Sequence, residues 1–243
     1  MSSLENGGKE MTLISHIEEM RNVIIRCIVA VAVCAIPCGI FWKQIFEFIA
    51  VMPLYLSEPV PRIIYTAPAE TVIFSFKIAL TGGLILASPF IFWQIWSFIS
   101  PALYKKEKNI ILPVVIGSSV CFLAGISFCW FILPMLLQFL TGFASEQIQP
   151  YFRIGEYFGF IIKLCLAFGI AFQLPVVSFT LTKMGVIDQK FLIKYFRHAI
   201  VAIFIIAALL TPPDVLSQIL LAIPLVGLYA LSIFLARFAE VKK

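Results

Sequence analysis

Long apolar blocks separated by short polar segments dominate the chain. We predict membrane-spanning segments at about 23–41, 71–99, 110–140, 157–181, 199–210 and 215–236. About 20 apolar residues in a helix cross roughly 30 Å of hydrocarbon. The pattern therefore predicts an all-α, polytopic membrane protein with six transmembrane helices, the last two short, and with residues 1–243 forming a single integral membrane domain.

The fifth apolar block contains only 12 residues, 199–210. At 1.5 Å per residue it reaches about 18 Å, which is less than the thickness of the hydrocarbon core. Two arrangements remain open. Blocks five and six form two short true spans that thin the bilayer locally, or they form a re-entrant hairpin buried in protein. Both return the chain to the same side, and we favour two short spans.

Residues 1–22 precede the first span and are polar enough to stay outside the membrane. Within them, apolar side chains recur at helical spacing from Leu13 through Ile17 and Met20 to Ile24. This spacing predicts a short amphipathic helix over about 11–22, after a polar tail. Such a helix lies in the membrane interface before the chain enters the bilayer.

The composition excludes several classes of protein. Hydrophobic residues make up 61% of the chain and charged residues 13%, with a mean hydropathy of +1.03. A typical soluble domain has about 25% charged residues, so a water-soluble globule and a disordered chain are both excluded. The net charge of +5 is spread over an apolar chain and forms no basic patch, which excludes nucleic acid as a partner. The lipid bilayer is the partner that this composition requires.

The distribution of Lys and Arg predicts the orientation. Of the 18 basic residues, three lie on one side of the predicted spans and two lie within spans. The remaining thirteen share the side of the N-terminus, namely Lys9, Arg21, Arg26, Lys105, Lys106, Lys108, Lys183, Lys190, Lys194, Arg197, Arg237, Lys242 and Lys243. The positive-inside rule therefore places both termini in the cytoplasm.

Acidic residues on this basic side are not explained by topology. Glu107 lies within a Lys-rich segment, and Glu18 and Glu19 precede the first span. Two interpretations are open for each of them. Each forms an exposed ion pair with a neighbouring base, such as His16 or Arg21, or it receives a guanidinium group from another polypeptide. Guanidinium groups match carboxylates in a bidentate geometry that lysine does not offer.

Polar groups inside the predicted spans are also candidates for function. Lys77 and Lys163 lie near the outer ends of the second and fourth spans, where each side chain reaches the interface by snorkelling or takes part in function. Gln173 precedes Pro175, which removes a backbone hydrogen bond and kinks the helix. The Gln173 amide either caps the carbonyl left free by this proline or hydrogen-bonds a neighbouring helix.

The chain contains no pattern typical of a cofactor or metal site. All six cysteines lie in apolar spans, where cysteine behaves as a small hydrophobic residue, and the chain has only two histidines. A glycine-rich phosphate-binding loop is missing from the sequence. We therefore expect a protein that is not an enzyme and needs no cofactor.

Four stretches, taken together, resemble the TatC family, the receptor subunit of the twin-arginine protein translocase. The resemblance covers nearly the whole chain in order. The matching stretches are His16 with Glu19–Arg21 (an N-terminal His-Leu-x-Glu-Leu-Arg element), Phe98–Glu107 (the first cytoplasmic loop), Ala167–Gly169 with Phe172–Pro175 (the fourth helix), and Thr211–Val215 with Ser217, Gln218 and Pro224 (the last outer turn and sixth helix).

The resemblance implies a function for the chain. It implies a receptor for twin-arginine signal peptides and the core of a translocase that exports folded proteins across the bacterial cytoplasmic (inner) membrane, driven by the proton-motive force. By position, Glu19 and Glu107 contact the arginine pair of the signal peptide. The other residues that the resemblance places in this site are Arg21, Phe98, Pro101, Leu103 and Tyr104.

The resemblance also implies partners within the membrane. They are TatA- and TatB-type single-span proteins and other copies of the same chain, in addition to the signal peptides of folded cargo. Gln173, Pro53 and Asp214 match the positions to which we assign partner contact, with a structural role also implied for Pro53 and Asp214. Gln173 stands where well-known members carry glutamate, so a titrating acid is missing at this position.

Two other functions remain to be weighed. A secondary transporter of a small solute or ion is the alternative, with Lys77, Lys163 and Glu156 as its polar groups. A membrane-embedded enzyme acting on lipids is less favoured, because the sequence offers no pairing of a nucleophile with a base and no metal-ligand cluster.

Overall fold

The protein is described here from a computed structural model. It covers residues 3–57, 60–103, 111–142, 149–211 and 214–239, with side chains described from His16 onward except at 100–103. Ten α-helices and a π-helical segment occur in these ranges: α1 Ser3–Ile40, α2 Trp42–Phe46, the π segment Glu47–Val51, α3 Met52–Tyr55, α4 Pro68–Leu103, α5 Ile111–Thr141, α6 Ile154–Ala171, α7 Leu174–Lys183, α8 Gln189–Lys194, α9 Phe196–Leu210 and α10 Val215–Ala239.

Five stretches of helix in the described ranges are long and apolar enough to cross a membrane. They are His16–Ile40, Pro68–Ile99, Ile111–Thr141, Ile154–Lys183 and Val215–Ala239. Helix α9 has 15 residues and reaches about 22 Å, so its short length agrees with the sequence prediction. The prediction of a short final span is wrong, because α10 has 25 residues and is long enough to cross the membrane. Its last turn contains Arg237, whose long side chain can reach the membrane interface.

A small sheet accompanies the helices and leaves the predicted all-α class in place. Strand β1, Arg62–Ile64, pairs in parallel with β2, Tyr151–Arg153, so that Ile63 lies opposite Phe152. The two strands lie in the connections between the first and second predicted spans and between the third and fourth. Pairing satisfies backbone groups that these connections would otherwise leave exposed. Since the partners are far apart in sequence, no local pattern indicates this sheet.

The segment after α1, residues 42–55, is helical and packed, although it lies outside every predicted span. Pro53 begins α3, where its missing N–H costs no hydrogen bond. Two aromatic side chains bind carbonyls of the π segment. Tyr157 donates from its hydroxyl to the Ala50 carbonyl at 2.7 Å, and Trp130 donates from its indole nitrogen to the Phe48 carbonyl at 3.2 Å. The segment is therefore fixed to α5 and α6.

The hydrophobic core is formed by α4, α5, α6, α9, α10 and the segment after α1. Phe74 of α4 is buried at its centre and makes edge-on ring contacts with Phe46 and Phe158, at centroid distances of 4.8 and 4.9 Å. Helices α5 and α6 approach so closely at Gly125 that an added Cβ atom would lie 2.7 Å from the Phe168 carbonyl oxygen. Small residues at such crossings are typical of helix packing in membranes.

Helix α1 lies at the edge of the molecule and packs mainly on α4. In its most apolar stretch 6% of the residues are buried, against 28% to 39% in the other four long spans. The two helices pack tightly at Gly83 of α4, where an added Cβ atom would lie 2.8 Å from the Val31 carbonyl oxygen and the Ala35 nitrogen of α1. The structure continues α1 without a break from Ser3, where the sequence predicted a tail and a separate amphipathic helix.

Candidate functional site

A polar cavity of about 300 Å³ opens between α1 and α4. Its lining comes from one stripe on each helix, because residues three, four and seven apart lie on the same side of a helix. The lining residues are Glu18, Glu19, Asn22, Val23 and Arg26 of α1, and Gln94, Ser97 and Phe98 of α4. The two helices therefore supply acidic, amide, hydroxyl and aromatic groups to one concave surface.

An aromatic stack forms beside this cavity. The His16 imidazole lies against the Phe98 ring, with ring centroids 4.5 Å apart and planes 16° from parallel. This contact joins two of the stretches that carry the resemblance described above, although more than 80 residues separate them in the sequence. The stack fixes the Phe98 ring on the wall of the cavity, next to the acidic residues of α1.

Glu19 is exposed in the cavity and has no ion pair or hydrogen bond with any other residue in the described ranges. Its pairing with His16 or Arg21 on the same helix, one of the two interpretations above, does not occur there. The carboxylate keeps its full capacity to accept hydrogen bonds. It is therefore available to a cationic ligand, and the nearby Phe98 ring offers a surface on which a guanidinium group can stack.

The structure describes only some of the other residues that were predicted to bind the signal peptide. Arg21 is exposed on α1 and is not among the residues that line the cavity. Pro101 and Leu103 lie in the last turns of α4, in the part of that helix whose side chains are not described. Tyr104 and Glu107 lie outside the described residues. The structure thus brings Glu19 and Phe98 together and leaves the role of Glu107 as a prediction.

Five of the cavity residues were not among the predicted site residues. Asn22, Val23 and Arg26 lie three, four and seven residues after Glu19, so a helical spacing counted from Glu19 would have found them. Gln94 lies four residues before Phe98 and would have been found from it, whereas Ser97 is adjacent to Phe98 and lies three residues after Gln94. Arg26 introduces a positive charge at the edge of an acidic site, which favours ligands whose charges alternate along their length.

Gln173 lies in a break between α6 and α7 and joins three helices. The Gln173 side-chain nitrogen donates to the Ser118 carbonyl of α5 at 3.0 Å, and the Trp96 indole nitrogen of α4 donates to the Ser118 hydroxyl at 2.9 Å. Of the two uses foreseen for the Gln173 amide, the structure therefore supports the bond to a neighbouring helix. An ionised glutamate could not make this bond, because it has no hydrogen to donate.

The two remaining predicted partner-contact residues have local structural roles. Pro53 is fully buried at the start of α3. Asp214 accepts a hydrogen bond from the backbone N–H of Ser217 with its Oδ2 atom at 2.7 Å, so it caps the first turn of α10. Both placements agree with the structural importance that the resemblance implied for these residues.

A second charged cavity, of about 330 Å³, lies at the end of the molecule that carries the two strands. Lys77 and Glu156, two of the three residues named for a transporter, line it together with Glu70 and Arg153. Arg153 binds Glu70 at 2.8 Å and Glu156 at 3.0 Å. Lys163 is not among the lining residues, so the three groups proposed for transport do not share one cavity.

Candidate metal ligands do not cluster in the part of the chain that the structure describes. Two buried cysteines, Cys129 of α5 and Cys165 of α6, do lie together, with their sulfur atoms 3.2 Å apart. Two thiols in an apolar core pack as small hydrophobic groups.

The chain is similar throughout its length to proteins of one kind. Residues 15–224 match the family model of the Sec-independent protein translocase protein TatC. The TatC protein of Helicobacter pylori strain J99 is 40% identical over 226 residues, which cover 93% of this chain and 88% of that protein. The TatC protein of Aquifex aeolicus is also 40% identical, over 96% of this chain and 98% of that protein.

A solved structure agrees with these sequence matches. A crystal structure of the twin-arginine translocase receptor TatC superimposes with a TM-score of 0.83 at 40% sequence identity. The superposition covers 92% of this chain and 99% of the other. This chain therefore shares its overall fold with that receptor.

Proposed function

Because the chain belongs to the family of the Sec-independent protein translocase protein TatC, we propose that it is the twin-arginine signal-peptide receptor and core subunit of a translocase for folded proteins. The arginine pair of the signal peptide enters the α1–α4 cavity and binds Glu19, with Glu107 as the second acid. Transport is driven by the proton-motive force. The chain itself carries out no covalent chemistry.

One observation carries this proposal: an exposed carboxylate without a partner in the described part of the chain lies beside an aromatic ring, in a cavity of about 300 Å³. A guanidinium group is planar and matches both features, since its edge binds the carboxylate and its face stacks on the ring. The amide and hydroxyl groups of Gln94 and Ser97 offer further hydrogen bonds to the peptide backbone. Signal peptides reach this surface without crossing the membrane, if α1 begins in the cytoplasm.

The orientation belongs to the same proposal. Both termini lie in the cytoplasm and the chain resides in the bacterial inner membrane, with α9 as a sixth crossing. The excess of basic residues on the side of the N-terminus supports this orientation. In this arrangement the α1–α4 cavity faces the compartment in which cargo is folded, and the β1–β2 sheet faces outward.

The proposal is tested by comparing arginine and lysine pairs. Synthetic signal peptides with Arg-Arg or Lys-Lys at the same positions are titrated against the purified full-length chain in detergent. The Arg-Arg peptide is expected to bind more tightly by at least about tenfold, because lysine cannot form the bidentate pair. A peptide with the two arginines moved away from the motif serves as the control. Equal affinities for the Arg-Arg and Lys-Lys peptides would contradict the proposal.

Gln173 is proposed to contact single-span partners of the TatA and TatB type. In the described ranges its side-chain nitrogen binds Ser118 and its oxygen has no partner. Gln173→Ala is expected to reduce crosslinking to these partners by a larger factor than it reduces signal-peptide binding. One lost hydrogen bond between membrane helices costs only about 0.6 kcal/mol, so the fold persists.

The control for this prediction is Trp96→Phe, which removes the other hydrogen bond to Ser118 and keeps the amide in place. It is expected to leave partner crosslinking at the level of the unmodified chain. If Gln173→Ala leaves the crosslinking yield unchanged, or if Trp96→Phe lowers it equally, Gln173 does not contact a partner and serves only the internal hydrogen bond.

A further inference from the structure

The charged cavity beside the two strands contains a cation that no acidic residue of the described ranges neutralises. Lys77 is exposed on α4 and has no ion pair or hydrogen bond within the described part of the chain. It lies seven residues after Glu70, so it stands about 10 Å further along the helix. Ile73 and Leu80 flank it on the same stripe and are 54% and 57% exposed. An unpaired ammonium group on such an apolar surface needs a counter-ion.

The other charges of the cavity are largely committed to each other. Arg153 donates to Glu70 at 2.8 Å and to Glu156 at 3.0 Å. Glu70 also accepts the Thr66 backbone N–H at 2.9 Å and the Thr66 hydroxyl at 3.0 Å, so both of its oxygens are occupied. Glu156 keeps one oxygen without a partner in the described ranges, and its side chain is 74% exposed. The groups left for a ligand are the ammonium of Lys77, one carboxylate oxygen of Glu156 and the N–H groups of Arg153 that are not used in these bonds.

We propose that this cavity binds the headgroup of a zwitterionic aminophospholipid, with the lipid phosphate on Lys77 and the lipid ammonium on Glu156. The lining contains two acids and two bases, so its formal charge is zero and it matches a neutral zwitterion better than a net anion. A volume of about 330 Å³ accommodates a headgroup. The exposed Ile73 and Leu80 side chains contact the acyl chains, which is what distinguishes a lipid from a free phosphate at this place.

Lys163 provides a matched control within the same chain. Lys77 and Lys163 each stand nine residues after the first residue of their helix, α4 and α6 respectively. Both are exposed, and neither has a partner among the residues that the structure describes. Only Lys77 lines the cavity. A lipid that binds any interfacial lysine would respond equally to the loss of either one.

The test counts bound lipids on the purified full-length chain by native mass spectrometry, after delipidation and addition of phosphatidylethanolamine or phosphatidylglycerol. The unmodified chain is expected to retain phosphatidylethanolamine preferentially. Lys77→Gln is expected to lower this retention about fivefold, the factor that one interfacial lysine contributes. Lys163→Gln is expected to match the unmodified chain. Glu156→Gln is expected to remove the preference for phosphatidylethanolamine over phosphatidylglycerol.

Three results would overturn the inference. Equal retention of the two lipids by the unmodified chain excludes a zwitterion site. An equal loss in Lys77→Gln and Lys163→Gln means that the lipid is held by general contact with the membrane surface. Displacement of the lipid by inorganic phosphate shows a site for the free anion. Lys77→Gln removes a charge from an apolar surface, so the variant is expected to fold, and its binding of the signal peptide is expected to be unchanged.

Discussion

Replacing Glu19 by glutamine is expected to weaken the binding of a twin-arginine signal peptide by roughly 30-fold or more. The substitution keeps the size of the side chain and removes a negative charge that has no partner among the described residues around the α1–α4 cavity. Removing one partner of a hydrogen-bonded charge pair costs about 2 kcal/mol or more, which is roughly a 30-fold loss of affinity. Glu19 has no internal partner in the described ranges, so the free energy of unfolding is expected to stay the same.

Affinity for a labelled signal peptide, measured on the purified chain, tests this expectation. The matched control is Glu47→Gln, which removes another exposed acid at the start of the π segment, beyond the other end of α1. The control is expected to bind the peptide normally. The prediction extends to export, because a chain with both Glu19→Ala and Glu107→Ala should transport no twin-arginine reporter. Normal export by this double variant would refute the assignment of both acids.

Gly83→Val is expected to have a large effect on stability and on the geometry of the α1–α4 cavity. A Cβ atom at this position would lie 2.8 Å from the Val31 carbonyl oxygen and the Ala35 nitrogen, both of which are backbone atoms that cannot rotate away. Forcing extra atoms into a packed contact typically costs about 1–3 kcal/mol. Since α1 packs mainly on α4, the shift also moves Glu19 relative to Phe98, and signal-peptide binding is expected to weaken together with stability.

Thermal unfolding in detergent measures the first effect and peptide titration the second. Gly227→Val in α10 is the matched control, because an added Cβ atom there meets nothing within 4 Å. It is expected to unfold at nearly the same temperature as the unmodified chain and to bind the peptide normally. A Gly83→Val chain with unchanged unfolding and unchanged affinity would show that the contact between α1 and α4 relaxes without cost.

Features that depend on the pattern along one helix could be predicted from the sequence. The apolar blocks correspond to five long spans and to the short α9, and the break before Pro175 coincides with the start of α7. The resemblance indicated that Glu19 and Phe98 share a site, and the structure places both on one cavity. The helices and the break follow from residues that are neighbours in the sequence. The shared site follows from motifs that occur in the same order as in the family.

Features that depend on contacts between distant segments could not be predicted. The pairing of β1 with β2 joins residues about 90 positions apart, and the Gln173–Ser118 hydrogen bond joins residues on different helices. The folding of the segment after α1 depends on two carbonyls being bound by Tyr157 and Trp130, which come much later in the chain. Hydrophobic periodicity contains no information about such partners.

The peripheral position of α1 has a consequence for how an occupied receptor behaves. Most of this helix faces outward, and α4 provides its main attachment to the rest of the protein. A ligand that touches both walls of the cavity acts as a clamp, since part of its binding free energy holds the two helices together. With the proposed binding site, cargo recognition and the rigidity of the receptor are therefore thermodynamically linked, and we expect an empty receptor to be a looser molecule than a loaded one.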